Sequence, residues 1–199
     1  MAALERLLRQ QEFENISVQD IAREAGVAVG SVYSHFKDKT AFLEALLAYW
    51  HDQVETQLEA SEAQDTAAAF RALGGLRDAL AEATRAVQVQ TRESGHILRA
   101  IHTYTRLHPE AGDEDWQTLV VRSFAPFQAL FEVYGSEIKL NDQDLATRML
   151  GVFFNTIFIR SALMPQDTLL EAAGLDDEAL AQQATDMVYA YLTLPRPDS

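Results

Sequence analysis

The chain has no cysteine among its 199 residues. Disulfides, thiolate metal sites and thiol nucleophiles are therefore excluded. It also lacks a long apolar run. The most apolar stretch, residues 149–163, contains Asn155 and Arg160 and falls short of the ~20 residues a membrane helix needs. No segment reads as a secretory leader, so a soluble cytoplasmic protein is expected. There is no G-x-S-x-G, no glycine-rich phosphate cradle, no internal repeat, and no stretch with the apolar-polar alternation of a strand. Positive charge is scarce: 16 Lys and Arg against 30 Asp and Glu, for a net charge of −14. A uniformly basic nucleic-acid binder is thereby ruled out. The deficit is uneven, however. Residues 1–50 hold five Lys/Arg and seven Asp/Glu, whereas residues 51–199 hold eleven and twenty-three.

What the sequence does contain is helix after helix. The apolar spacing, the caps and the stops predict an all-α protein of about nine helices, divided into a head (residues 1–47) and a larger bundle (48–199). The first helix is expected over 3–11. Ser17 is the natural cap of the next, with Asp20 in the capping-box position. Ala22, Gly26 and Val32 then fall at the spacing of a helix-turn-helix. The small Ala allows close crossing, the Gly takes a positive φ in the turn, and Val32 anchors the following helix inward. That helix, near 29–36, is the one suited to a major groove. A long helix follows over 39–60.

The run GVAVGSVYSHFKDKTAFLEALL carries more than this spacing. Gly30, Ser31, Val32, Tyr33, His35, Phe36, Lys37 and Lys39 closely resemble the signature of the TetR family of transcriptional regulators. The resemblance covers residues ~4–47 and implies a ligand-responsive regulator that binds double-stranded operator DNA as a homodimer. It is usually a repressor released by a small-molecule effector, and it is not an enzyme. The resemblance makes Tyr33, His35 and Lys39 phosphate contacts, to which Ser17 and Ser31 add hydroxyls. A packing role beside Phe36 stays open for His35, and a core role for Tyr33. The outward candidates Ala28, Val29, Gly30, Ser31 and Ser34 have none of the bidentate donors that read purines. Gly30 permits close backbone approach, Val29 can meet a thymine methyl, and Gln19 is the best remaining base reader. Two departures from the family stand out. Relatives carry a longer segment before the first helix, whose contacts are not expected here. They also have Gly where this chain has Glu12, which is expected to cost up to ~1 kcal/mol or to move the helix end. Weak operator affinity is the alternative these departures raise, leaving a helical small-molecule-binding protein.

In the bundle, helices are expected over 67–89 (with Gly74-Gly75 as its point of interruption), 94–107, 116–134 (kinked at Pro126), 142–163 and 176–194. The last two are expected to form the dimer interface, with Phe158 in it and Gly151 and Asn155 on a close-approach line. Asn155 either fixes register there or bonds a neighbouring backbone. An apolar, aromatic or acyl effector is expected among the rings of the bundle, at His102, Tyr104, Trp116, Phe124, Phe127, Phe153 and Asn155, with Arg99 on the solvent side. His96, His102 and His108 are six apart and lie on different helix faces. Residues 110–115 lack the ligand pattern of a calcium loop. No metal, no cofactor and no catalytic residue is expected.

Overall fold

The structure, a computed structural model, describes residues 1–111 and 114–195, without the side chains of residues 110, 114 and 115. The acidic stretch at 110–115 and the tail 196–199 therefore lie largely or wholly outside the described residues. All regular structure among the described residues is helical.

The head contains α1 (Ala2–Leu8), α2 (Val18–Ala25), α3 (Val29–Tyr33) and the start of α4 (Thr40–Glu62). A complete capping box opens α2. The Ser17 side chain accepts from the Asp20 backbone N–H, and the Asp20 carboxylate accepts from the Ser17 backbone. Gly26 closes α2 at φ 69°, the left-handed turn that the motif requires. Helix α1 stops earlier than its apolar pattern suggests. Glu12 lies in extended backbone with φ −70°, so the helix end has moved and no residue is strained.

The body follows as α5 (Thr66–Arg71), α6 (Leu76–Glu93), α7 (Gly95–Leu107), α8 (Glu114–Arg122), α9 (Ala125–Tyr134), α10 (Gln143–Phe154), α11 (Arg160–Leu163), α12 (Thr168–Ala173) and α13 (Asp177–Thr193). Two expected helices are divided. The 67–89 helix is interrupted at Gly74-Gly75, the point its glycine pair marked for a break. The 116–134 helix breaks ahead of Pro126, which sits in the first turn of α9, where its missing N–H costs nothing. Between α10 and α11 the chain makes one π turn over Asn155–Ile159. Asn155 Nδ2 donates to the Gly151 carbonyl at 2.8 Å. Of the two expected roles for Asn155, its geometry is the backbone bond.

Two cores organise the molecule. The first joins Leu4, Leu8, Ile21, Val32, Phe42, Leu46 and Trp50 of the head to Ile97, Ala100, Ile101 and Tyr104 of α7. The second is built around Phe127, Phe154 and Phe158, whose rings stack at 5.3 and 5.9 Å between centroids. Gly151 is needed here. A Cβ at this position would overlap the Phe124 ring, so its close approach is to its own chain. Phe158 is likewise buried, not at a surface.

Helix α7 is tied to the head by polar groups as well. Arg99 Nε donates to Glu12 Oε1 at 2.9 Å, and its Nη1 donates to the Ala162 carbonyl at 3.0 Å, so this side chain bridges head and body rather than facing solvent. His96 is buried beside α1, with Nε2 3.6 Å from Glu5 Oε1. Glu5 also accepts from Arg9 at 2.7 Å and from the Tyr49 hydroxyl at 3.0 Å. Burial, followed by the Arg9 charge, pushes the His96 imidazole below its ordinary value, against the opposing pull of Glu5. The unfolded chain therefore takes up a proton before the folded one does. Folding stability from this site is present above the ordinary histidine value of about 6.5 and is lost as pH falls below it. Thermal unfolding followed from pH 7.5 to 5.5 should show a loss of stability that shrinks in His96→Gln. An identical pH dependence in the two proteins would remove His96 as its source.

Candidate DNA interface and effector cavity

The head presents one face built from α3 and the ends that flank it. Val29 and Tyr33 are exposed, and around Gly30 there is open space. Tyr33 is thus not a core residue. The Ser31 carbonyl accepts from Ser34 Oγ at 2.7 Å and from His35 Nδ1 at 2.9 Å. A carbonyl only accepts, so Nδ1 carries the proton and Nε2 remains for an outside partner. His35 is exposed, and its neighbour Phe36 does the packing by stacking on Phe42 at 4.1 Å.

The other expected contacts divide by how committed they already are. Ser17 Oγ donates to Asp20 Oδ2 at 2.6 Å, which holds the Asp20 carboxyl below the usual range and occupies the hydroxyl proton. Gln19 is exposed and makes no hydrogen bond or ion pair among the described residues. Lys39 Nζ donates to the Glu14 carbonyl at 2.9 Å and lies 4.7 Å from the centre of the Phe13 ring. It clasps the 13–15 turn to the start of α4, with two of its N–H groups left over.

The cations of the head explain how a net acidic surface is arranged. Arg6 pairs with Glu24 at 2.6 Å, Arg9 with Glu5 at 2.7 Å, and Arg23 with Asp20. Each arginine is neutralised within the head. Lys37 is exposed and makes no ion pair or hydrogen bond among the described residues. Its place in the Lys-x-Lys run was the available signal, though nothing in the sequence showed that its neighbours would be occupied.

The seven residues expected at the effector site do not share one cavity. A mainly apolar cavity of about 630 Å³ lies between α4, α5, α6 and α9 and is lined by Val54, Leu58, Phe70, Ala83, Val87, Pro126 and Phe127. Phe127 is the one expected residue that reaches it. His102 and Trp116 line a separate recess of about 230 Å³ against Leu47, Leu98 and Ile101. Trp116 stacks on His51 at 5.1 Å. Tyr104 belongs to the head core, with its hydroxyl donating to Glu44 at 3.2 Å. Phe124 presses on Gly151, Phe153 meets Phe154 edge-on, and Asn155 is exposed. The cavity residues Val54, Leu58, Ala83 and Val87 sit on two helices distant in sequence, and neither helix shows a motif. A larger, polar cavity of about 800 Å³ lies near Arg92, Arg99 and Asp167. No group of side chains suited to a metal occurs among the described residues, and no helix there is long and apolar enough to cross a membrane.

Residues 1–46 match the family described as bacterial regulatory proteins, tetR family. A TetR-family transcriptional regulator from Mesorhizobium loti MAFF303099 superposes with a TM-score of 0.63 at 20% identity, over 97% of this chain and 94% of that one. The transcriptional regulator FadR from Bacillus subtilis, in complex with stearoyl-CoA, superposes with a TM-score of 0.55 at 17% identity, over 95% of each chain. No curated protein matches the sequence. A helix-turn-helix head on an all-helical body is the class that this match and this fold define. The head matches the tetR-family domain, and the whole chain shares the fold of the Mesorhizobium loti and FadR structures.

Gly30 supplies a direct test of the DNA face. Alanine here meets no neighbouring atom and favours the helix by up to ~1 kcal/mol. Gly30→Ala should therefore raise the melting temperature while weakening DNA binding, because the added methyl stands between α3 and the groove. Unchanged affinity would show that the α3 backbone does not approach DNA.

Proposed function

We propose that the protein is a ligand-responsive transcriptional repressor. Its head (1–47) binds operator DNA as one half of a homodimer, and its body (48–199) holds a mostly apolar effector. The supporting observation is the shared use of α4. Its first turns bury Phe42, Leu46 and Trp50 in the head core, and its later turns place Val54 and Leu58 in the wall of the 630 Å³ cavity. Its far end is held by Arg122, whose Nε and Nη2 reach the two Glu62 oxygens at 2.9 and 3.0 Å. A ligand that moves the wall therefore moves a rod seated in the head, and effector affinity and DNA affinity are coupled reciprocally. The volume suits an acyl or aromatic compound. FadR, the relative of similar fold, carries stearoyl-CoA.

Dodecanoate, stearoyl-CoA and naphthalene are suitable first probes. One of them should raise the melting temperature and release the protein from its own upstream DNA in a mobility-shift assay. Ala83→Phe, which fills the cavity, should abolish both effects and leave DNA binding intact. A compound that stabilises the wild-type protein and Ala83→Phe equally, with DNA retained, would contradict this site. Failure to shift any upstream DNA would favour the alternative, a small-molecule-binding protein with little operator affinity. That alternative draws support from the paired head arginines.

The homodimer is assigned to the exposed stripe Leu145, Met149 and Val152 on α10, joined by Met187 on α13. These residues recur at helical spacing, and such a stripe on a soluble chain is commonly a contact surface. A two-fold dimer also presents two heads to two half-sites. Light scattering should give twice the 22.2 kDa chain mass for the wild type and about one chain mass for Val152→Glu. A Val152→Glu dimer would remove this face from the interface.

A further inference from the structure

Residues 25–36, AGVAVGSVYSHF, contain no Lys, Arg, Asp or Glu, in a chain where those residues make up 23%. Low charge ordinarily marks a buried segment, but here the turn and α3 are the exposed face of the head. Val27 is 47% exposed, Val29 36% and Tyr33 55%, and only Val32 and Phe36 are turned into the core. The polar side chains of the stretch are partly engaged from within, since Ser34 Oγ and His35 Nδ1 both donate to the Ser31 carbonyl. What the turn and α3 offer outward is therefore mainly Val27, Val29 and the Tyr33 ring, beside Lys37 and Gln19, which make no hydrogen bond or ion pair among the described residues.

In a major groove the four base pairs differ in one apolar feature, the C5 methyl of thymine. Guanine is read best by paired donors from Arg or Lys, and adenine by Asn or Gln. The exposed surface of residues 25–36 supplies neither. We infer that this head selects its operator by thymine methyl groups packed against Val29 and Val27, so that apolar contact with A·T pairs is its main direct readout. The inference rests on the regulator reading above. Lys37, with the free Nε2 of His35, is placed to hold the backbone on either side, contributing affinity without sequence information.

The test begins with selection of bound duplexes from a random pool. Thymines of the enriched site are then replaced one at a time by deoxyuridine, which removes the methyl and keeps every hydrogen-bonding group. Loss of one buried methyl costs about fourfold in affinity. At least one thymine in each half-site should show that loss, and the salt dependence of binding should not change, because no phosphate contact is touched. In Val29→Ala the uracil penalty at the matched thymine should fall towards onefold, since the partner surface is gone. A site fully substituted with uracil and bound as tightly as before would overturn the inference and leave the regulator reading standing. So would a uracil penalty undiminished in both Val29→Ala and Val27→Ala. If no duplex is enriched, the regulator reading fails, and this inference fails with it.

Discussion

The head cannot complete its core without α7. A unit of fewer than fifty residues buries too little apolar surface to be securely stable alone. Here Ile97, Ala100, Ile101 and Tyr104 supply the missing face against Leu4, Leu8, Leu46 and Trp50. The Arg99 bridge to Glu12 and the His96–Glu5 contact lie along the same seam. The rest of the molecule follows from this dependence. If α7 shifts, the head's core must repack, and if the head is pulled by DNA, α7 feels it. Helix α4 forms the second connection, running from the head core past the apolar cavity to the Arg122–Glu62 pair.

Electrostatics restrain the head more than they draw it to DNA. Its arginines are each matched to a carboxylate, so long-range attraction of DNA is weak, and the operator binding proposed above relies on close fit. Close fit in turn requires a head held rigidly at one angle. That is what the capping box at Ser17, the Gly26 turn and the Lys39 clasp on Glu14 provide. The charge deficit of the chain and the polar devices of the head are thus two sides of one arrangement.

The head was legible in the sequence because its local chemistry is specific. Ser17 as a cap, Gly26 in the turn and Val32 in the core are set by that spacing, and each takes that place. The helical class was legible as well, since periodicity and stops recur along the whole chain. The apolar cavity was not. Aromatic rings in a bundle either fill space or surround it, and only packing decides which. Phe127 reaches the cavity, whereas Phe124 is absorbed by the gap at Gly151 and Phe154 and Phe158 by mutual stacking. Arg99 misled for a related reason. Helical spacing places a residue on a face of its own helix but does not say that a distant Glu12 and the Ala162 carbonyl meet it there. Glu12 itself, an apparent defect of a helix end, became a partner once the helix stopped earlier.

The dependence of the head on α7 is open to one direct measurement: amide hydrogen exchange across the full-length protein and its Ile101→Ala variant. Removing this side chain from the shared core should speed exchange in α1, α2 and α3 together, by a common factor, while α10 and α13 keep their protection. Faster exchange confined to α7, with the head unchanged, would contradict the account, because the head would then be a self-sufficient unit to which α7 is merely adjacent.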